Sequence, residues 1–161
     1  MNRSELHCYI EDNIVVSSRQ IIQYFVSQGK TNTSVRKSIS RLKDPFRSVS
    51  KIHLANKAKI FYHKAFWKTP DYCEKLTKIL LEEHSVYGYA LEALRAKSGF
   101  IVEKDFPIIC GSGNQKGHIP PELIKQNLLD SGLLSSINIE AMGTYLYLSA
   151  YNNISVQADE T

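Results

Sequence analysis

The chain has 161 residues, and its 43% hydrophobic and 22% charged residues match a globular protein rather than a disordered or fibrous one. No stretch approaches the roughly 18 uninterrupted apolar residues that a membrane span requires, and acids stand near the start where a signal peptide requires an apolar run. We therefore expect a cytoplasmic protein with no membrane partner, long enough for one medium domain or two compact ones.

Charge is distributed unevenly along the chain, although its total is only +4. Residues 30–68 hold eleven basic side chains against one acid, Asp44, for a net charge of +10, whereas residues 1–29 carry −1 and residues 69–161 carry −5. Such a block of unbalanced cations is typical of a surface that binds a polyanion. The alternative is a solvated lysine-rich face, but acids normally intersperse such a face and here they do not.

The first elements of the chain are short. Apolar residues at helical spacing predict a helix over residues 4–12, and the apolar triplet at 14–16 predicts a short strand. A second helix of about three turns follows, with Ser17 or Ser18 as its N-cap and Gly29 as its stop.

A third helix and a hairpin complete the first third. The helix spans residues 33–43, with Asn32 or Thr33 as its cap. Apolar residues at every second position then predict two strands around a turn at Ala55 and Asn56, with lysines at the tip. The alternating apolar positions of this hairpin are Ile52, Leu54, Ile60 and Tyr62.

Helix, strand, helix, turn, helix and hairpin is the element order of the winged helix-turn-helix family, which residues 4–64 resemble. In that family residues 29–32 would form the turn, and residues 33–43 would form the recognition helix. The resemblance rests on order, lengths and charge rather than on an invariant motif. It implies binding to double-stranded DNA.

The rest of the chain repeats this order. Thr69 as a cap with Pro70 at the first helical position predicts a helix that joins the two halves. The elements after it are a helix over 85–97, a strand over 100–102, an unassigned segment over 104–110, a glycine loop, a helix over 121–131 stopped by Gly132, and a hairpin ending in 144–150.

The sequence thus predicts an α+β fold, mostly helical, made of two consecutive winged-helix units joined by a helix. The first unit is expected over residues 1–68. The linker helix and the second unit are expected over residues 69–151. Residues 152–161 have no periodic pattern and are interpreted as a tail or linker.

The third helix has a polar face suited to DNA. With 100° per residue, Val35, Ile39 and Leu42 face the core. Long cations can reach phosphates and guanine edges, and short hydroxyls permit close approach of the helix. The opposite side presents Thr33, Lys37, Ser40 and Arg41, flanked by Ser34 and Arg36. We expect Arg36, Lys37 and Arg41 to contact bases or phosphates, unless these residues simply solvate an exposed helix.

The hairpin would act as the wing that, in this family, reaches the adjacent backbone or minor groove. Lys57, beside the turn, is the best wing candidate, and His53 stands on the preceding strand. The complete set of expected DNA-contacting residues is Lys30, Thr33, Ser34, Arg36, Lys37, Ser40, Arg41, Lys43, Arg47, Lys51, Lys57 and Lys59.

The matching helix of the second half is slightly acidic. Gln126 and Asn127 could read adenine edges there, but few cations surround them. A protein-facing or orienting role is the better expectation for this helix.

Motifs for catalysis, nucleotides and metals are missing from the sequence. The glycines of the loop at 111–117 do not fit either phosphate-binding pattern, and no cysteine or histidine pair has zinc spacing. Cys8, Cys73 and Cys110 are expected to be buried free thiols, as in a reducing compartment. We expect a protein that is not an enzyme and uses no cofactor or metal.

Two functions remain open. Tandem winged helices occur in plasmid replication initiators and in recognition domains of restriction and phage-defence proteins, so the resemblance implies a regulator of transcription or the recognition part of a larger protein. The alternative is a tandem winged-helix scaffold that binds kleisin subunits, which would suit an acidic second half with exposed tyrosines. Whether the chain forms a homodimer, or works with a fused or partner catalytic domain, is left open.

Overall fold

The computed structural model of the protein describes residues 3–42, 48–55, 58–113 and 119–149. The chain divides into two compact units, Met1–Trp67 and Lys68–Thr161. Each unit combines α-helices with a three-stranded antiparallel sheet, which confirms the expected α+β class. Several expectations lie outside the described residues. They concern the contacts of Lys43, Arg47 and Lys57, the turn position Asn56, residues 114–117 of the glycine loop, and the tail at 152–161.

The first unit places three helices before a hairpin. Its elements are α1 (Arg3–Asn13), β1 (Val15–Ser17), α2 (Ser18–Ser27), α3 (Asn32–Ser40), β2 (Val49–His53), β3 (Lys59–His63) and a single 3-10 turn at Lys64–Phe66. The sheet order is β1-β3-β2, so the last strand lies between the other two. Val16 pairs with Phe61, and Ile52 pairs with Ile60.

Local capping signals fix the helix starts. Ser17 forms a capping box with Gln20: the Ser17 hydroxyl accepts from the Gln20 amide at 3.1 Å, and the Ser17 amide donates to Gln20 Oε1 at 3.0 Å. The cap of α3 is Thr31, whose hydroxyl accepts from the Ser34 amide at 3.1 Å. The expected cap at Asn32 or Thr33 is therefore wrong by one or two positions.

The third helix is also shorter than expected. Its last α-helical bond joins the Arg41 amide to the Lys37 carbonyl, and the Leu42 amide then bonds to Ile39, only three residues back. Arg41 is thus the C-cap of α3 rather than an interior residue. The buried Leu42 ends the turn against the core.

A hydrophobic core joins the helices of the first unit to its sheet, and each of α1, α2 and α3 contributes two side chains to it. Its members are Leu6, Ile10, Val16, Ile21, Phe25, Val35, Ile39, Leu42, Val49 and Phe61. The hairpin does not follow strict alternation, because Ile60 and Phe61 are both buried while Tyr62 is half-buried. A strand covered on both faces has a continuous apolar run. The prediction from alternating positions therefore overlooked Phe61.

The second unit has the same order of elements after one additional helix. It contains α4 (Pro70–Glu83), α5 (Ser85–Ala96), β4 (Phe100–Val102), a 3-10 turn at Glu103–Asp105, α6 (Phe106–Gly113), α7 (Pro121–Ser131), β5 (Leu134–Ile139) and β6 (Gly143–Leu148). Its sheet order, β4-β6-β5, again places the last strand in the middle. The cap at Thr69 and the left-handed stop at Gly132, with φ +85°, agree with the sequence.

One helix of the second unit carried no clear sequence signal. Residues 104–110, which had no predicted element, belong to the 3-10 turn and to α6. Phe106, Ile109 and Cys110 are buried at helical spacing, and Pro107 occupies the first turn, where its missing N–H does no harm.

Candidate nucleic-acid interface

The third helix presents one apolar and one polar face. Val35 and Ile39 are buried in the core of the first unit. Thr33, Lys37 and Ser40 are exposed on the opposite side. The basic face of α3, defined here as Thr33, Arg36, Lys37, Ser40 and Arg41, therefore brings five of the expected residues onto one exposed surface. Ser34, also expected there, is half-buried.

The cations of the basic face have no acidic neighbours in the part of the chain that the structure describes. Ion pairs there involve other cations, and none involves Arg36, Lys37 or Arg41. An arginine or lysine without a carboxylate partner keeps its full charge available for a phosphate. Among the described residues, no ion pair on this face would have to break before an anion binds.

The other expected cations that the structure describes, Lys30, Lys51 and Lys59, are less accessible. Lys30 lies 3.9 Å from a carboxylate oxygen of Glu5. Lys51 Nζ donates to the Leu42 carbonyl at 3.3 Å, so this lysine reaches back to the end of α3 and is half-buried. Lys59 is half-buried as well, while His53 on the neighbouring strand is exposed.

Hydroxyl groups on α3 are largely occupied within the helix. Ser40 Oγ donates to the Lys37 carbonyl at 2.8 Å, and Ser38 Oγ donates to the Ser34 carbonyl at 3.2 Å. Ser40 can still accept a hydrogen bond through its oxygen. At a DNA groove, Ser40 would therefore permit close approach through its small size and would offer one hydrogen-bond acceptor.

A contact between the basic face and the first residue of α3 was not anticipated. Arg36 Nε donates to Asn32 Oδ1 at 2.5 Å, and both side chains are exposed. The two residues are four apart, so they lie on the same side of the helix. The spacing of four residues is the sequence signal from which this hydrogen bond could have been predicted.

The corresponding helix of the second unit, α7, has the opposite character. Lys125 Nζ lies 2.9 Å from Glu122 and 3.7 Å from Glu103, so two carboxylates neutralise it. Gln126 donates to Asp130 at 2.8 Å. Asn127 is buried and donates to the Tyr87 hydroxyl at 2.7 Å, which removes it as a base reader.

A cluster of polar side chains around the Glu11 carboxylate connects α1 to the base of the hairpin. Glu11 accepts from Ser48 Oγ at 2.7 Å and lies 3.0 Å from His7 Nδ1 and 3.7 Å from His63 Nε2. The hydrogen bonds from Ser48 and then His7 lower the pKa of the Glu11 carboxyl. The Glu11 carboxylate thus connects α1 to residues at both ends of the hairpin.

The burial of the cysteines was only partly anticipated. Cys73 and Cys110 are buried, and burial raises the pKa of the Cys110 thiol to about 12. Cys8, expected to be buried, is exposed on α1. Among the described residues no group of three histidines, cysteines or acids is arranged to hold a metal ion.

An open groove of about 490 Å³ lies in the second unit. Its walls include Cys73 and Leu81 from α4, Leu91 from α5, and Leu133. The walls are mainly apolar, and the charged side chains that line it are Glu74, Lys78 and Arg95. Such a lining suits binding more than proton transfer.

Comparisons with known proteins give no family assignment. No protein-family model matches this chain, and no curated protein sequence matches it. No described helix is long and apolar enough to cross a membrane. Fold alone does not fix function, so function has to be inferred from the basic face of α3 and its surroundings.

Proposed function

We propose that this protein is a non-enzymatic module that binds double-stranded DNA, and that its first unit makes the contacts. The observation that carries the proposal is the basic face of α3. Three exposed cations, Arg36, Lys37 and Arg41, share that face and form no ion pair with any described residue. They belong to a block whose sequence charge is +10.

The proposed fold of each unit is a winged helix. Both units run helix, strand, helix, helix, strand, strand, and both sheets place the third strand between the first and second. In a winged helix the last helix before the hairpin enters the major groove, which is wide enough to admit it. That helix is α3 in the first unit.

The hairpin would supply the wing. Lys59 begins β3, and Lys57, outside the described residues, precedes it by two positions. A cation at the hairpin tip adds phosphate contacts without sequence information, whereas α3 would carry the base contacts. Together they would fix the orientation of the unit on the duplex.

The second unit has a different proposed role. The two carboxylates near Lys125 would repel phosphates, so α7 is a poor helix for a DNA groove. We assign this unit to orienting the first one or to contacting protein. By resemblance, the whole would serve in the cytoplasm as a regulator of transcription or as the recognition part of a restriction, phage-defence or replication protein.

One observation favours a second function, a protein-interaction scaffold of the kleisin-binding type. The outer face of the second sheet is uncharged and partly exposed: Phe100 is 40% exposed and Ile137 is 47% exposed. The register places Ile137 opposite Tyr145, and the rings of Tyr145 and Phe100 stack at 5.0 Å. Exposed aromatic and aliphatic patches of this kind mark protein interfaces.

A mobility-shift titration of the full chain with duplex DNA tests the main proposal. Replacing Arg36, Lys37 and Arg41 by alanine should weaken binding by at least about tenfold, since each lost charge contact weakens association. The matched control replaces Lys75, Lys78 and Lys97, three exposed cations of the second unit, and changes the net charge equally. Equal weakening by both triple variants would point to bulk charge rather than α3, and unchanged binding by the first would favour the scaffold.

A further inference from the structure

The starting observation is the hydrogen bond from Arg36 Nε to Asn32 Oδ1 at 2.5 Å. Asn32 is the first residue of α3, and the helix is already capped by Thr31. The Asn32 side chain is therefore not needed to satisfy the helix start. Its oxygen instead fixes the orientation of a guanidinium group.

The bond restricts which edge of Arg36 can meet a ligand. A guanidinium has five N–H donors in a rigid plane, and one of them, on Nε, is taken by Asn32. No described residue bonds to the two terminal nitrogens, which can therefore act as a fork. That fork matches two neighbouring acceptors in one plane, which in the major groove are O6 and N7 of guanine.

Position along the helix favours Arg36 over the other cations for this role. Base edges are read mainly by the N-terminal part of a recognition helix. Arg36 is the fifth residue of α3, whereas Arg41 is its C-cap. Lys37 is a flexible point charge and cannot make a planar two-bond contact.

We propose that Arg36 reads a guanine in the major groove and that Asn32 is the positioning residue that aims it. This inference rests on the proposed DNA-binding function and adds its specificity: the preferred site contains a G·C pair facing the N-terminal half of α3. Arg41 and Lys37 then serve mainly as phosphate contacts. The pair Asn32 and Arg36 acts as one unit.

The experiment first selects a preferred duplex from a random-sequence DNA pool with the full chain. Fluorescence anisotropy then measures binding to that duplex, to versions with each G·C pair changed to A·T, and to random DNA. The wild type should prefer one G·C pair by about 5- to 150-fold, the range of a good two-bond contact. Arg36→Ala should abolish that preference. Arg36→Lys should weaken it and keep the affinity for random DNA, because lysine can still donate to guanine but lacks the rigid planar fork.

Two substitutions of Asn32 separate positioning from folding. Asn32→Ala removes the acceptor, so the G·C preference should fall at least about threefold while random DNA binds as before. Asn32→Asp keeps the acceptor and suits a helix start. It should keep the preference and bind all duplexes more weakly, because a negative charge is added near phosphates. Gln23→Ala, which removes an exposed amide from α2, is the matched control and should change neither quantity.

The contrary outcomes are distinct. If Arg36→Ala removes the preference but Asn32→Ala does not, Asn32 does not position Arg36. If Asn32→Ala instead removes preference at an A·T pair, Asn32 reads adenine itself, and the inference is wrong. If Arg36→Ala leaves the preference intact although the wild type binds DNA, guanine reading belongs to another residue. If the wild type binds no duplex, the proposed function itself fails.

Discussion

Removing the charge of Glu11 should destabilise the first unit. The carboxylate accepts from Ser48 at 2.7 Å and lies within 3.0 Å of His7 and 3.7 Å of His63, so it links α1 to both strands of the hairpin at one end. Hydrogen bonds to a charged group contribute about 1.5–3 kcal/mol, but the Glu11 side chain is 33% exposed and water screens part of that. We therefore expect Glu11→Gln to cost about 1 kcal/mol and Glu11→Ala about 1–2 kcal/mol.

The effect should depend on pH in a defined direction. The hydrogen bonds hold the folded pKa of Glu11 below its ordinary value of 4.5. The carboxylate therefore stabilises the fold above about pH 4.5, and this stabilisation is lost as the pH falls through the folded pKa. The difference in the free energy of unfolding between wild type and Glu11→Gln should have its full size at pH 7. It should shrink as the pH falls below 4.5.

Thermal unfolding followed by circular dichroism at several pH values measures both effects. For a unit of this size, 1 kcal/mol corresponds to a Tm change of about 4–8 °C. Asp12→Asn, which removes an exposed neighbouring charge from α1, is the control and should change the Tm little. A Glu11→Gln Tm equal to that of Asp12→Asn at every pH would refute the proposed role of the cluster.

Two further predictions concern the second unit and the cysteines. Asn127→Ala should destabilise the second unit by about 1–3 kcal/mol in urea unfolding, because it removes a buried hydrogen bond to the Tyr87 hydroxyl, and a fully stable variant would contradict this. In the folded chain at pH 8, a thiol reagent should modify the exposed Cys8 rapidly and the buried Cys110 only on unfolding. Equally rapid modification of Cys110 and Cys8 would show that the assigned burial is wrong.

Sequence reasoning succeeded where the signal is local. Ser17, Thr69 and Gly132 mark helix ends through their own hydroxyls or a left-handed backbone, and each occupies its expected position. The polar face of α3 followed from helical spacing alone, since Val35 and Ile39 fix which side is buried.

Features set by tertiary contacts were beyond such reasoning. The cap at Thr31 competes with Asn32 and Thr33, which have similar capping propensity, so the sequence does not single it out. Asn127 resembles an exposed amide in sequence, but its partner Tyr87 lies forty positions away. The contact between Glu11 and Ser48 spans thirty-seven positions and leaves no periodic signature.

The salt dependence of DNA binding tests the central claim most directly. For the full chain and a random-sequence duplex, the logarithm of the binding constant should fall linearly with the logarithm of salt concentration, by about 0.9 for each phosphate contact. The triple alanine variant of Arg36, Lys37 and Arg41 should reduce that slope by about 1.8–2.7, as expected for two or three lost contacts. The control variant of Lys75, Lys78 and Lys97 should keep the wild-type slope. A wild-type slope near zero, or equal slopes for all three proteins, would contradict DNA binding through α3.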